Sequence, residues 1–524
     1  MSARLDRARV PVIVGVGQIT DTATPPDRAR SPLGLMLDAV RAAAADAAPH
    51  ADSGAPDSGE ALLREVDSLI VVRLFSDAVP RFKSPFGRMA NPPWSIARRI
   101  GATPRELVYT PGGGNMPQVA LNRACEQIAR GESAVALLTG AEALRTELAA
   151  RRAGVMLDWN EDAPSAPEEW GGYRMPCSGH EAAHQIHAAI NVYPLFEQAI
   201  RGARGRSLDS HQQEMGRLFA RFAAVARANP LATRRKGYSA GEIATPSQDN
   251  PITGFPYTKL MTASVYVDQS AAVIVCSAAK ADQLGIAPEK RVYLHGCAQG
   301  DDHWYVTERQ NLHSSPAIRA IARKTFAMAG KTLADVAMFD LYSCFPSAVE
   351  IACEEIGIDE NDPRDLTVTG GLPYFGGPGN NYVMHSIAEM VERVRRRPGA
   401  FGLVTANGNY VTKHAAGLYS TTPLAQPWVR EDPSVLEREL DGLPKSRFTE
   451  TPCGAATIES YTVVHSKKGR ETGIIVGRLD ANGARFIANT PDDPALLEDL
   501  ETRDALGRAG VAASEGGRNR FTPE

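Results

Sequence analysis

Long apolar runs are missing from this sequence. No stretch of the 524 residues reaches the length that spans a bilayer. The start, MSARLDRARVPVIVGVGQI, passes from Arg4, Arg7 and Arg9 straight into a short strand-like segment, without the apolar core of a signal peptide. A soluble, cytoplasmic protein with no membrane span is expected. An excess of one charge is also missing: the formal net charge is −4 and both signs are scattered, so neither nucleic acid nor a membrane surface is an expected partner. Cysteine is thin. The seven thiols at 125, 177, 276, 297, 344, 353 and 453 form no C-x-x-C pair, which excludes a zinc ribbon and argues for reduced thiols without disulfides.

What is present is glycine at two places. Between Gly370 and Gly379 lie five glycines and two prolines, preceded by the β-prone run Leu366–Thr369 and followed by apolar residues Val383, Met384, Ile387, Met390, Val391 and Val394 at helical spacing. The pattern predicts strand, glycine loop, helix. Such loops bring backbone close to a ligand, and the following helix turns its amides and positive dipole end toward it. A second unit, Pro111-Gly-Gly-Gly-Asn115, stands between the run Glu106–Tyr109 and a helix for which Asn115 is the candidate N-cap and Pro117 lies in the first turn. One such unit per half implies a duplicated α/β core.

The rest of the chain agrees with that plan. Strand-like runs at Val10–Val16, Val66–Val72, Ala134–Thr139, Ser270–Cys276, Arg291–Cys297, Val336–Leu341 and Phe401–Thr405 alternate with helical stretches, which calls for a mostly parallel sheet. The polar segment PHADSGAPDSGEA reads as a surface loop. Arg145–Thr258 reads as an insertion. Within it His180-Glu181-Ala-Ala-His184 matches H-E-x-x-H, which on a longer helix would aim two histidines and a carboxylate at zinc; without an evident third ligand no metal is expected. After Pro427 alternating β segments joined by charged or Asn-Gly turns predict a small β-barrel.

The order VPVIVGVGQI, VYTPGGGNMPQVALNRACEQIARGE, SVYVDQSAAVIV, FDLYSCFPSAVE, GGLPYFGGPGNN and ANGN resembles the thiolase superfamily, most closely its sterol-carrier-protein thiolase branch, over about residues 9–420. The tail resembles the additional C-terminal domain of thiolase-like proteins type 1 and an OB barrel. The resemblance implies an α/β thiolase fold: duplicated halves in a five-layered αβαβα sandwich plus a C-terminal OB-like barrel. Its divisions would be 1–144 with 259–285 for the first half, 145–258 for the insertion, 286–425 for the second half and 426–524 for the added domain. It implies an acyl-CoA thioester as substrate or ligand, the label acetyl-CoA acetyltransferase by similarity, and a homodimer.

The motifs depart from that family where its chemistry sits. The nucleophilic cysteine falls at Gly114, the histidine of Gly-His-Pro at Gly377, the acid/base cysteine at Ala406, and the residue that orients a catalytic water at Tyr342. Without a nucleophile the ping-pong route of thiolysis is closed. Gly114, Asn115, Gly376, Asn407 and Gly408 are the expected ligand-binding positions. Tyr342, Tyr410 and His414 are candidate acid/base groups, the last two four apart and on one face if the segment is helical. Two readings follow besides a bare acyl-CoA binder with changed chemistry: retro-aldol cleavage of a 3-hydroxyacyl-CoA by a tyrosine–histidine pair, or a non-catalytic acyl-CoA or lipid-binding protein. Cys344, within a matching block, is the one stand-in thiol.

Overall fold

The computed structural model describes residues 5–48, 58–172 and 174–524. Most of the predicted polar loop at 49–61 lies outside the described residues, and Ser58–Arg64, at its end, is helical. Strand β1 (Pro11–Asp21) is followed by α1 (Pro32–Ala47), which starts on Ser31, its hydroxyl accepting the Gly34 N–H, with Pro32 in the first turn. Next come β2 (Ser68–Val71), α2 (Pro92–Ile100), β3 (Glu106–Tyr109), α3 (Met116–Arg130) and β4 (Val135–Ala143). The insertion contributes α4 (Ala189–Ala203) and α5 (Leu208–Ala228). Then follow β5 (Asp268–Ser277), β6 (Tyr293–Asp301), α6 (Pro316–Ala329), β7 (Val336–Asp340), α7 (Pro346–Ile356), α8 (Tyr382–Arg396), β8 (Phe401–Gly408) and β9 (Lys413–Ser420).

These strands build two sheets of the same design. The first has the order β1-β5-β4-β2-β3, extended by Glu168–Glu169, and the second β6-β9-β8-β7. In each, the first strand pairs antiparallel with the second, the second antiparallel with the third, and the third parallel with the fourth. The duplication read from two glycine loops is thus repeated in strand order and direction. β4 and β5 are buried along their whole length, as the apolar runs at 135–138 and 271–276 require, and the buried residues beyond those runs include the polar Thr139, Glu142, Asp268, Gln269 and Ser270. Helix α1 covers the outer face of the first sheet and α6 that of the second, while α3 and α8 touch strands of both sheets and each other. Five layers result, α-β-α-β-α, and the N-termini of α3 and α8 meet at the centre.

The stretch Leu366–Thr369 corrects the sequence reading, because it forms no strand. Its amides turn instead to a buried carboxylate: Asp340, at the end of β7, accepts the Val368 and Thr369 N–H groups at 3.0 and 3.2 Å and the Thr367 hydroxyl at 2.9 Å. Six hydrogen bonds to one side chain replace a strand ladder here, since the Thr369 hydroxyl, at 3.1 Å, and Ser386 and Tyr382 of α8, at 2.6 and 3.2 Å, also donate to Asp340.

In the tail, β10 (Gly454–Ser466), β11 (Gly469–Leu479), β12 (Arg485–Asn489), α9 (Pro494–Thr502), β13 (Ala509–Glu515) and β14 (Arg518–Pro523) form a third sheet. Pairing runs β10-β11-β12-β14-β13 and returns to β10, with β12 and β14 joined at Asn489 and Arg520. The last two strands carried no clear sequence signal: β13 is small and apolar on both faces, with Val511 exposed, and β14 buries only Asn519 and Phe521 between exposed polar residues. The insertion adds its own short strands, Ile252–Gly254 and Tyr257–Thr258, to the edge of β10. Arg485 is fully buried at this junction, ion-paired with Glu459 and donating to the carbonyls of Thr307 and Gln310. The H-E-x-x-H segment belongs to the same junction. Its helix is a single turn, Gly179–Ala183. Glu181 accepts the N–H groups of Ser178 and Thr307 at 2.8 and 2.9 Å, and His184 Nε2 accepts the Asn519 N–H of β14 at 2.8 Å. Among the described residues no helix is long and apolar enough to cross a membrane.

Candidate functional site

The two glycine loops converge, and asparagine ties them together. The Gly113 N–H donates to Asn380 Oδ1 at 2.9 Å, and Asn380 Nδ2 donates to the Arg73 carbonyl at 2.8 Å. Gly113 sits at φ +148°, in the left-handed region, and a methyl group built on it would lie 2.5 Å from both Lys413 Nζ and Asn115 Oδ1. Asn115 therefore serves another purpose than the expected cap. Its side chain makes no N-cap bond, and its buried Oδ1 points at the loop without a hydrogen-bond partner.

Position 114 is closed to any side chain. A Cβ there would lie 2.3 Å from Tyr342 Oη, 2.9 Å from Tyr342 Cζ and 2.6 Å from the Asn407 carbonyl oxygen. Tyr342 leaves the end of β7, where its N–H donates to Thr405 Oγ1 at 3.0 Å, and its ring stands edge-on to Tyr382 at 5.7 Å. Burial, with Cys344 nearby, pushes its phenol well above the ordinary range, so it stays a protonated donor. At Gly377, by contrast, a Cβ would meet its neighbours at 3.5 Å, an ordinary contact. Glu142 lies under the second loop, its carboxyl accepting the Phe75 N–H at 2.7 Å, and burial raises it from 4.5 to about 8.

Tyr342, Asn407 and His414 line one cavity of about 30 Å³, walled otherwise by Leu403, Ala406 and aliphatic side chains of α6 and α7. That is room for one or two waters, against the several hundred Å³ of a typical ligand pocket. His414 Nε2 lies 3.3 Å from the buried Asp302 carboxylate, which also holds the start of α6 through the Ala317 N–H. Tyr410 is not in this group. Its hydroxyl donates to the His187 carbonyl at 2.7 Å, and the segment Asn409–Thr412 is the turn of the β8–β9 hairpin, so the helical face shared with His414 does not exist. The turn is held by Tyr193 of the insertion: its hydroxyl receives Asn407 Nδ2 at 3.0 Å and the Val411 N–H at 3.4 Å, and donates to the Asn409 carbonyl at 3.0 Å. Asn409 and Val411 take φ of +57° and +51°, strained for a β-branched residue such as valine.

Two further groups complete the picture. Cys344 is buried, and burial pushes its thiol to about 12 despite the Tyr193 hydroxyl beside it, far from the thiolate that attack requires. Lys413, which the sequence reading did not single out, donates to the Gly112 carbonyl and faces Asp301 across the β9–β6 pair. Burial lowers the ammonium while Asp301 opposes the shift; Asp301 itself is raised by burial to about 6. Lys413 opens β9 beside His414, and its partners lie on other segments, so the sequence alone gave no signal for it. His385 is buried in α8 against Gln18, lowered by burial to about 3, and is a neutral packing group.

Two like-ordered sheets enclosing α3 and α8, with glycine loops meeting at the helix N-termini, define a thiolase-fold protein. Over 99% of its length this chain is 36% identical to a monomeric SCP2-thiolase-like protein type 1 from Mycobacterium smegmatis, whose crystal structure it covers completely with a TM-score of 0.83. The chain belongs to the SCP2-thiolase-like protein type 1 family. Residues 435–516 match the thiolase-like protein type 1 additional C-terminal domain. The Ltp2-ChsH2(DUF35) aldolase shares the fold at 18% identity and a TM-score of 0.55, over 79% of this chain and 98% of that one. A 3-ketoacyl-CoA thiolase of Salmonella heidelberg (strain SL476) is 31% identical over 154 residues, 26% of this chain; the alignment spans about a third of that relative, 33%. The M. smegmatis relative is described as monomeric, so the expected homodimer finds no support there.

The Glu142 shift gives a pH test. Its folded carboxyl ionises near 8 and its ordinary value is 4.5, so its contribution to stability is complete below about 4.5 and is lost as pH rises through about 8. Glu142→Gln, which keeps the acceptor for Phe75, is expected to match wild type in Tm at pH 5 and to exceed it increasingly toward pH 8.5. Parallel Tm curves across that range would refute the assignment.

Proposed function

We propose that this protein binds acyl-CoA thioesters at the junction of its two glycine loops and does not carry out cysteine-dependent thiolysis. The reading takes the thiolase nucleophile, histidine and second cysteine positions to be Gly114, Gly377 and Ala406, with Gly114, Asn115, Gly376, Asn407 and Gly408 around the thioester. The observation that carries it is Tyr342 Oη standing 2.3 Å from where a side chain at 114 would begin. A ring there fills the space of a nucleophile, and an acyl group must displace it to reach the small cavity behind. Residues 426–524 are taken as an OB-like unit, supported by the closed ring of strand pairings. A cytoplasmic setting fits seven unpaired thiols.

A second reading, retro-aldol cleavage of a 3-hydroxyacyl-CoA, is favoured by one observation: Tyr342 and His414 share a cavity. In that reaction a base takes the 3-hydroxyl proton, the Cα–Cβ bond breaks into the thioester enolate, and an acid returns a proton to Cα, leaving an aldehyde or ketone and a shorter acyl-CoA. Incubation with acetoacetyl-CoA plus CoA, and with a panel of 3-hydroxyacyl-CoAs, decides among these. Saturable binding without product or covalent adduct supports the first reading, carbonyl release lost in Tyr342→Phe supports the second, and an acyl-enzyme detected by mass spectrometry refutes both.

A further inference from the structure

Between the insertion and α7, three fully buried donors from three helices face one another: Glu197 of α4, His211 of α5 and Glu350 of α7, with one ligand atom of each within 4.8 Å of the others. His211 Nε2 lies 2.5 Å from Glu197 Oε1 and 4.0 Å from Glu350 Oε2. We propose that this is a binding site for a divalent transition-metal cation, taken by two carboxylates and one imidazole, which clamps the insertion to the second α/β half.

Two carboxyls in contact inside a dry core cannot both be anions, and here burial, first of all, raises both Glu197 and Glu350. Something must sit between them, a proton or a cation. Glu197 is hydrogen-bonded to both His211 and Glu350, yet Glu350 Oε2 still meets no hydrogen-bond donor among the described residues while lying 4.0 Å from His211 Nε2, which leaves a ligand atom of Glu350 unused beside the other two. His211 Nε2 is hydrogen-bonded to Glu197 Oε1 at 2.5 Å while Nδ1 finds no partner among the described residues, so a cation entering between them would take the Nε2 lone pair and leave the ring's N–H at Nδ1.

The outer contacts suit ligands held in place. Tyr257 donates to Glu197 Oε2 at 2.7 Å, and Arg204 donates to Glu350 Oε1 at 3.1 Å and pairs with Glu360 at 2.6 Å. Those bonds occupy the far oxygens and leave Glu197 Oε1, Glu350 Oε2 and the ring nitrogen turned inward. Carboxylate and imidazole together suit Zn²⁺ or Mn²⁺. On binding, the cation replaces the proton shared by the carboxyl pair, one proton leaves to solvent, and the imidazole keeps its single N–H at Nδ1.

The test loads the full-length protein with Zn²⁺ alone or Mn²⁺ alone, removes free metal on a desalting column, and measures retained metal by mass spectrometry. About one equivalent per chain is expected, with a rise in Tm, a calorimetric enthalpy that varies with buffer as one released proton requires, and a zinc X-ray absorption shell of oxygen and nitrogen including one imidazole. His211→Gln and Glu350→Gln should each weaken retention at least about 10-fold. No retained metal and no change in Tm would overturn the site. So would a sulfur ligand, or retention unchanged in folded variants. If a variant fails to fold, the absorption shell and proton release of wild type remain decisive.

Discussion

Gly114→Ala is expected to lower stability by about 1–3 kcal/mol, a large penalty for one added methyl. The new Cβ would stand 2.3 Å from a phenol oxygen and 2.6 Å from a backbone carbonyl, distances at which something must move. The phenol can move and the carbonyl of Asn407, a backbone atom paired across from His414 in the β8–β9 hairpin, cannot easily do so. Tyr342→Ala removes the first obstacle at the cost of a buried cavity. The double variant is therefore expected to be less destabilised than the sum of the two singles, by about 0.5–3 kcal/mol, the range seen for side chains in contact. Thermal melts of the four proteins measure this directly, and strict additivity would show that Tyr342 does not fill the place in front of α3. Gly114→Cys is expected to behave like Gly114→Ala and to form no acyl-enzyme with acetoacetyl-CoA.

Asp340→Ala is expected to be worse, on the order of 3–5 kcal/mol, the effect of removing the acceptor from a set of buried donors. Two backbone N–H groups and the hydroxyls of Thr367, Thr369, Tyr382 and Ser386 converge on that carboxylate. Without it they have neither a strand partner nor water. The loss should appear locally first: amide hydrogen exchange across residues 366–379 should accelerate ahead of the β4–β5 core, because the second glycine loop hangs from these bonds. Asp340→Asn keeps one accepting oxygen but turns an amide group toward donors, and should fall between wild type and alanine. A Tm for Asp340→Ala within about 3 °C of wild type would show that the segment is held by packing alone, given about 2–4 °C per kcal/mol in larger domains.

The division between what was legible in the sequence and what was not follows the range of the interactions. Runs such as Ala134–Thr139 and Ser270–Cys276 announce buried strands because each residue is apolar in its own right, and both glycine loops were visible for the same local reason. Leu366–Thr369 has the composition of a strand too, but a carboxylate 26 to 29 residues earlier takes its amides. Tyr410 and His414 have helical spacing, yet the turn between them depends on positive φ at Asn409 and Val411, residues that give no glycine signal, and on Tyr193 more than 200 residues away. Lys413 and the Glu197–His211–Glu350 group are invisible for the same reason: their partners come from other strands and helices. The resemblance placed Tyr342 at the catalytic block, and the geometry adds what it obstructs.

The short strands of the insertion that pair with β10 have a consequence for how this architecture can change over time. The Phe255 N–H donates to the Val463 carbonyl, the Ser460 hydroxyl to the Leu195 carbonyl, and Arg201 is paired with Asp504. A gene that shed its 3′ portion would leave a naked β edge, an orphaned guanidinium and bare carbonyls on the remaining half, a surface prone to self-association. The inserted segment and the tail are therefore heritable only as a pair, although 167 codons, those of residues 259–425, separate them.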